Sequence, residues 1–151
     1  MCGISGSGKT YYSKRLEAEG YLRLSLDEII WESYGADFPS LPFPRQQEIF
    51  AEGFERLERE LLGAIEEGRK VVVDSTMCKR GKRDHMRRLC KGKGVKPEFM
   101  YLESPLATLK ERMLRRRGQG PNDQIVPPSR LETFYNNFDR PEPDETDVVK
   151  I

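Results

Sequence analysis

With 151 residues, the chain is long enough to build one domain around a single sizeable core. Charged residues make up 34% of it while the formal net charge is only +1, the composition of a soluble globular protein. No stretch approaches the ~18 apolar residues of a membrane span and no secretion-type leader opens the chain. Cys2, Cys78 and Cys90 are odd in number and lack metal-type spacing, so free thiols in a reducing cytoplasm are expected.

Gly3-Ile4-Ser5-Gly6-Ser7-Gly8-Lys9-Thr10 satisfies the phosphate-loop pattern of Gly, four free positions, Gly, Lys, then Ser or Thr. Gly3, Gly6 and Gly8 carry no Cβ, so the backbone can turn its N–H groups, with those of Ser5 and Ser7 among them, inward around a phosphate. Lys9 brings a point charge to the β- and γ-phosphates, and the Thr10 hydroxyl is placed to ligate Mg²⁺. Residues 9–19 read as a helix whose positive N-terminal end faces the anion. ATP and Mg²⁺ are therefore the expected ligands. The motif should follow a buried strand, central in a parallel sheet, yet only Met1 and Cys2 stand before Gly3. The first strand is expected to be largely missing here, with the natural reading frame starting several residues upstream.

Gly20 is a natural helix terminator. Residues 21–26 alternate as a second strand, Asp27 falls just past its end, and 28–34 read as a short helix. With Pro39, Pro42 and Pro44, residues 35–44 are expected to form an irregular surface loop. Phe50, Phe54, Leu57, Leu61 and Ile65 recur at helical spacing and predict a long amphipathic helix closed by Gly68. Residues 70–74 form a β-branched run ending in Asp74, the pattern of a buried parallel strand, with Ser75-Thr76-Met77 as the loop after it. A helix over 80–91 and a strand over 99–102 follow. Ser104 as N-cap and Pro105 at N1 predict the next helix, which carries Leu106, Leu109 and Met113 and runs into Arg115-Arg116-Arg117. Residues 118–128 read as a mobile connection, Leu131, Phe134, Tyr135 and Phe138 stripe a last helix, and 147–151 supply a short strand.

Strands alternating with helices at this spacing predict βαβ units and a parallel sheet covered on both faces. The active site should lie beyond the carboxyl ends of the strands, where the phosphate loop, Asp27, Asp74 and Thr76 all fall. Charge is uneven along the chain. Residues 79–117 hold fourteen Lys and Arg against four Asp and Glu, while 46–67 and 121–151 are acidic. The basic block, Arg83 included, is a candidate surface for a phosphorylated or nucleic-acid partner.

GISGSGKT, LSLDE, VVVDST, YLESPLATLKERMLRRR and FYNNFDRPEPDE, in that order, resemble the small P-loop kinase family of polynucleotide kinases and zeta-toxin-like proteins. The resemblance spans nearly the whole chain, although only the phosphate loop is highly specific. It implies a P-loop NTPase-type α/β fold, a three-layer sandwich with a mostly parallel sheet of about five strands, in one domain over 1–151 with a helical lid over about 112–128. It further implies Asp27 as general base, Thr76 as a residue placing the acceptor, and a lid arginine on the phosphates, Arg117 first and Arg112 second. Two departures stand against a dedicated nucleic-acid 5′-kinase: Ile30 occupies the position of an acceptor-gripping arginine, and Met77 follows Thr76 where Asn is common.

The expected activity is transfer of the γ-phosphoryl of ATP to a hydroxyl acceptor. Lys9, Thr10 and Asp74 would serve nucleotide and metal, and Asp27, Thr76 and Arg83 the acceptor. That acceptor is a single-stranded nucleic acid or a phosphorylated small molecule on the strength of the basic block, and a small metabolite on the strength of Ile30. A nucleotide-binding ATPase or switch without a phosphoryl acceptor is the third reading, and Asp27 speaks against it.

Overall fold

The computed structural model describes residues 1–151. Four short strands, β1 (Leu22–Ser25), β2 (Val71–Asp74), β3 (Phe99–Tyr101) and β4 (Val148–Lys150), pair in parallel as β1 with β2 and β3 with β4. Leu22 lies opposite Val71 and Ser25 opposite Asp74, so the two strands end level and present their last residues to one edge. The amino-terminal residues fill the gap between the pairs. Met1 N donates to Val73 O at 2.8 Å and Gly3 N to Thr76 O at 3.1 Å. On the other side Cys2 N donates to Met100 O and Leu102 N to Cys2 O. The two parallel pairs are thereby joined in the order β1, β2, amino-terminal stub, β3, β4, the stub bridging in parallel to Tyr101 at Cys2 and reaching the β2 side through these hydrogen bonds. Cys2, fully enclosed, sits between the two pairs.

Six helices cover this sheet: α1 (Lys9–Ala18), α2 (Leu26–Tyr34), α3 (Phe43–Glu66), α4 (Arg80–Lys91), α5 (Leu106–Leu114) and α6 (Pro128–Asn136). The three-layer α/β arrangement predicted from the alternation stands. The helix α3 stripe of Phe54, Leu57 and Leu61 enters the main core with Ile29, Met86, Leu109 and Leu131. Leu57 is fully buried, and truncation to Ala there should cost about 2–5 kcal/mol. Gly53 lets α3 approach α2 closely, since a Cβ there would come within 3.2 Å of Leu26 and 3.3 Å of Ile30. No helix is long and apolar enough to cross a membrane.

Several boundaries differ from the sequence expectation. Residues 35–44 are not an irregular loop: Gly35–Ser40 is a 3₁₀ turn that buries Phe38 against Ile30 and Ile49. Helix α3 begins at Phe43, because Pro44 sits in the first turn, where its missing N–H has no helical partner to lose. Phe50 leaves the core stripe and packs edge-on against Phe38 at 5.2 Å. Ser104 makes no cap; Pro105 occupies that position in α5. Helix α5 ends at Leu114, so Arg115, Arg116 and Arg117 lie past the last helical turn.

Candidate active site

The phosphate loop is held open by glycine. Gly8 caps α1 at φ 107°, and Gly6 adopts φ 86° with the Met113 methyl 2.8 Å from where a Cβ would be. Within the loop, Ser7 N bonds Ile4 O, but the amides of Ser5, Gly6, Gly8, Lys9 and Thr10 donate to no protein acceptor. Free N–H groups at a helix N-terminus form an anion cradle. Lys9 Nζ reaches back to Ile4 O at 3.0 Å inside the loop. Burial holds its pKa below the ordinary lysine value, with Asp74 and then Asp27 pulling the other way. Gly3 and Ser7 support the loop from beneath rather than lining its cavity: a Cβ on Gly3 would meet Leu102 O at 2.6 Å and Ser7 Oγ at 2.7 Å.

A cavity of about 450 Å³ opens from this loop, and Lys9, Thr10, Asp27, Asp74 and Thr76 all line it. The level ends of β1 and β2 bring the two aspartates together. Asp74 is 5% exposed, and its Oδ2 accepts from Ser13 Oγ at 2.9 Å and from Arg23 Nη1 at 3.5 Å. Asp27 lies in the first turn of α2, and Ser25 is the helix cap, its hydroxyl accepting from Glu28 N. Asp27 is therefore not spent on capping. Its carboxylate is accessible from the cavity yet surrounded by protein, so desolvation pushes its pKa above the usual 3.8, against the pull of Lys9.

The arginines fall differently from expectation. Arg117 is exposed and outside the cavity, its guanidinium donating to Leu114 O and Arg116 O. Arg116 is the one of the three consecutive arginines that reaches the cavity. It lines the cavity beside Asp27 and donates to Gln124 O at 2.8 Å, and burial lowers its pKa. Arg112 lines the cavity too and donates to Gly6 O at 2.8 Å. The run turns this way because α5 stops at Leu114 and the Asp123 carboxylate accepts from the amides of Arg117 and Gln119. The connection over 118–128, expected to be mobile, is pinned, with a 3₁₀ turn over Pro121–Asp123 and Asn122 Nδ2 donating to Glu28 at 2.8 Å.

Arg83 also lies elsewhere than expected. It does not meet an acceptor: it is wholly buried outside the cavity, its donors taken by Glu145, Met77 O and Asp139 O. The basic block as a whole is answered by acidic partners. Lys79 pairs with Asp139, Arg80 with Glu142 and Asp144, and Arg87 with Glu145 and Asp147.

Sequence reasoning missed Ser13, Arg23, Gln46 and Arg130. Ser13 stands one helical turn after Thr10, and Arg23 is a lone charge in a strand, signals visible in principle. Arg23 binds Glu17, Glu28 and Asp74 together. Gln46 and Arg130, which also line the cavity, carry no local signal.

This architecture has relatives. The chain is 25% identical over all 151 residues to the thermosensitive gluconokinase of Escherichia coli (strain K12), spanning 76% of that protein. It superposes on a gluconokinase from Sinorhizobium meliloti 1021 with a TM-score of 0.66 at 26% identity, covering 99% of this chain and 78% of that one. A sugar kinase from Janibacter sp. HTCC2649, 22% identical, shares the fold with a TM-score of 0.70 over 99% of this chain and 81% of that one. These relatives support the small P-loop kinase part of the resemblance and lend nothing to its polynucleotide-kinase part. The AAA domain family matches residues 1–141, nearly the whole sheet together with the phosphate loop, both aspartates and the lid, and the chain belongs to that family.

Proposed function

We propose that the protein phosphorylates a small sugar-type metabolite, a polyhydroxylated compound such as gluconate, at the expense of ATP. The chain is a P-loop kinase, a transferase with an alcohol group as acceptor. The observation that carries the small acceptor is the shared cavity: Lys9, Thr10, Asp27 and Asp74 line one cavity of about 450 Å³ together with Phe38, Phe50 and Phe134. Such a volume suits a nucleotide's phosphates and one small polyol, not a polynucleotide track.

Asp27 accepts the proton of the attacking hydroxyl, whose oxygen forms the new bond to the γ-phosphorus as the bond to ADP breaks. Lys9, the unpaired loop amides, Arg112 and Arg116 face the charge that develops on the phosphoryl oxygens. Thr10 and Asp74 fit Mg²⁺. No group of three metal-binding side chains exists, and one hydroxyl with one carboxylate is the sparse set of an ion that keeps water and phosphate ligands. When bound, Mg²⁺ neutralises charge on the β- and γ-phosphates. Ser13 and Arg23 occupy Asp74 Oδ2 and hold the carboxylate in one orientation.

The test is ADP release from ATP and Mg²⁺ across gluconate, neutral sugars, nucleosides and oligonucleotides. Turnover with sugar-type acceptors, abolished by Lys9→Ala, is expected. Turnover with oligonucleotides alone would overturn the reading.

A further inference from the structure

Three arginines line the cavity, Arg112, Arg116 and Arg130, and none forms an ion pair with a carboxylate. Two stand with the phosphate loop: Arg112 bonds Gly6 O, and Arg116 faces Asp27. Arg130 makes its contacts with other residues. It projects from α6 toward α3, where its Nη2 donates to Gln46 Oε1 at 3.1 Å.

Gln46 is built to hold it. The side chain is 4% exposed, and its Nε2 donates to Pro39 O at 3.2 Å and to Leu41 O at 2.8 Å. Both amide hydrogens are thus committed to the 3₁₀ turn, which leaves Oε1 turned toward the guanidinium. Two aromatic rings hold Arg130 as well, with centroids 5.7 Å (Phe43) and 5.4 Å (Phe134) from Cζ. A guanidinium has five N–H donors, and here only one finds a protein acceptor. A half-buried, pre-oriented cation with unused donors in a cavity is a receptor for an anion, and its planar fork suits a carboxylate or a phosphate.

We propose that Arg130, oriented by Gln46 and flanked by Phe43 and Phe134, binds an anionic group on the acceptor and so selects charged over neutral polyols. The assignment rests on the kinase reading above. Lys9, Arg112 and Arg116 already serve the triphosphate in the kinase reading, so the third arginine, whose contacts are Gln46, Phe43 and Phe134 rather than the phosphate loop, is left for the acceptor.

Steady-state kinetics with a matched set test this: gluconate, glucitol, which replaces the carboxylate by a neutral CH₂OH, and a glucitol phosphate. The wild type should favour one anionic acceptor over glucitol by between about ten- and a hundredfold in kcat/KM, the range of charge-assisted hydrogen bonds. Gluconate in first place identifies a carboxylate site, glucitol phosphate a phosphate site. Arg130→Gln should erase that preference through KM for the anionic acceptor, with KM for ATP unchanged, and Arg130→Lys should retain part of it. Equal losses toward all three acceptors in Arg130→Gln, or a raised KM for ATP, would assign Arg130 to packing or to the nucleotide and overturn the subsite. Equal wild-type use of neutral and anionic acceptors also sinks the subsite but leaves the kinase reading intact. No transfer to any of the three overturns both.

Discussion

Arg83 and Glu145 meet in a bidentate ion pair, Nε to Oε2 and Nη2 to Oε1 at 2.7 Å each, with side-chain exposures of 0% and 1%. The remaining Arg83 nitrogen donates to Met77 O and Asp139 O. The pair therefore clamps the carboxyl-terminal segment and α4 onto the loop after β2, which carries Thr76 into the active site. Glu145→Gln leaves a buried guanidinium without its counter-charge and should destabilise the fold by about 3 kcal/mol, read from urea unfolding.

The same carboxylate sets an acid limit. Hydrogen bonds from Arg83, and then Arg87, hold its pKa down to about 2 from 4.5, against the opposing effect of burial. A depressed carboxylate stabilises the native state fully above its unfolded pKa and loses that contribution as pH falls through the folded one. Thermal stability should therefore decline between about pH 4.5 and pH 2, and the decline should be weaker in Glu145→Gln. Parallel pH–Tm curves for the two proteins would contradict it.

Because the acidic tail neutralises the basic helix α4, oligonucleotide affinity should be weak and nearly independent of salt. A protein tracking single-stranded phosphates shows a log–log slope of roughly −0.7 per contact. A slope corresponding to several contacts, flattened by charge reversal at Arg87, would restore the nucleic-acid partner.

The parts of this site that were legible in the sequence are those whose chemistry is contiguous or tied to strand ends. The phosphate loop is a local motif, and Asp27 and Asp74 follow from where apolar runs stop. What was not legible depends on partners far away in the chain. Arg83 reads as a surface cation until Glu145, 62 positions on, encloses it, and Gln46 meets Arg130 across 84 positions. The resemblance points to Arg117 first and Arg112 second, and the arginine run reads as the end of one helix. Its end at Leu114, with Asp123 capturing the following amides, rotates the run. Ile30 stands where the resemblance places an arginine, and it packs with Phe38 and Ile49 in a small core cluster.

Asp27 should trade stability for activity. Its pKa is raised by desolvation, so the native state holds the proton more tightly than the unfolded chain, and stability falls as pH rises from 3.8 through the folded value. Asp27→Asn removes that penalty and should modestly raise the Tm of the nucleotide-free protein at pH 7. The same change removes the base and should lower kcat on the order of 10²–10⁴-fold with ATP affinity little changed. In the wild type the acid limb of kcat/KM should inflect above pH 3.8. A collapse of ATP binding in Asp27→Asn would assign the residue to the metal instead.

The arginines past α5 provide the sharpest contrast, since neighbours of one residue type differ in everything but sequence. Arg116 lines the cavity, is tied to Gln124 O of the lid, and shares the enclosure with Lys9 and Asp27. Burial disfavours its charge, so the native state holds a cation there at a cost that a triphosphate would offset. The guanidinium of Arg117, one residue on, bonds only carbonyls of its own turn in solvent. Arg112 reaches the phosphate loop through Gly6 O from a more exposed position. Arg116→Ala should therefore lower kcat on the order of 10²-fold or more, the loss expected when one pre-oriented donor to transition-state charge is removed. Arg117→Ala should be close to wild type, and Arg112→Ala should fall between them. Each variant is compared by kcat and KM for ATP at saturating acceptor. A severe defect in Arg117→Ala with Arg116→Ala unaffected would mean that the lid rearranges on binding ATP and exchanges the two residues.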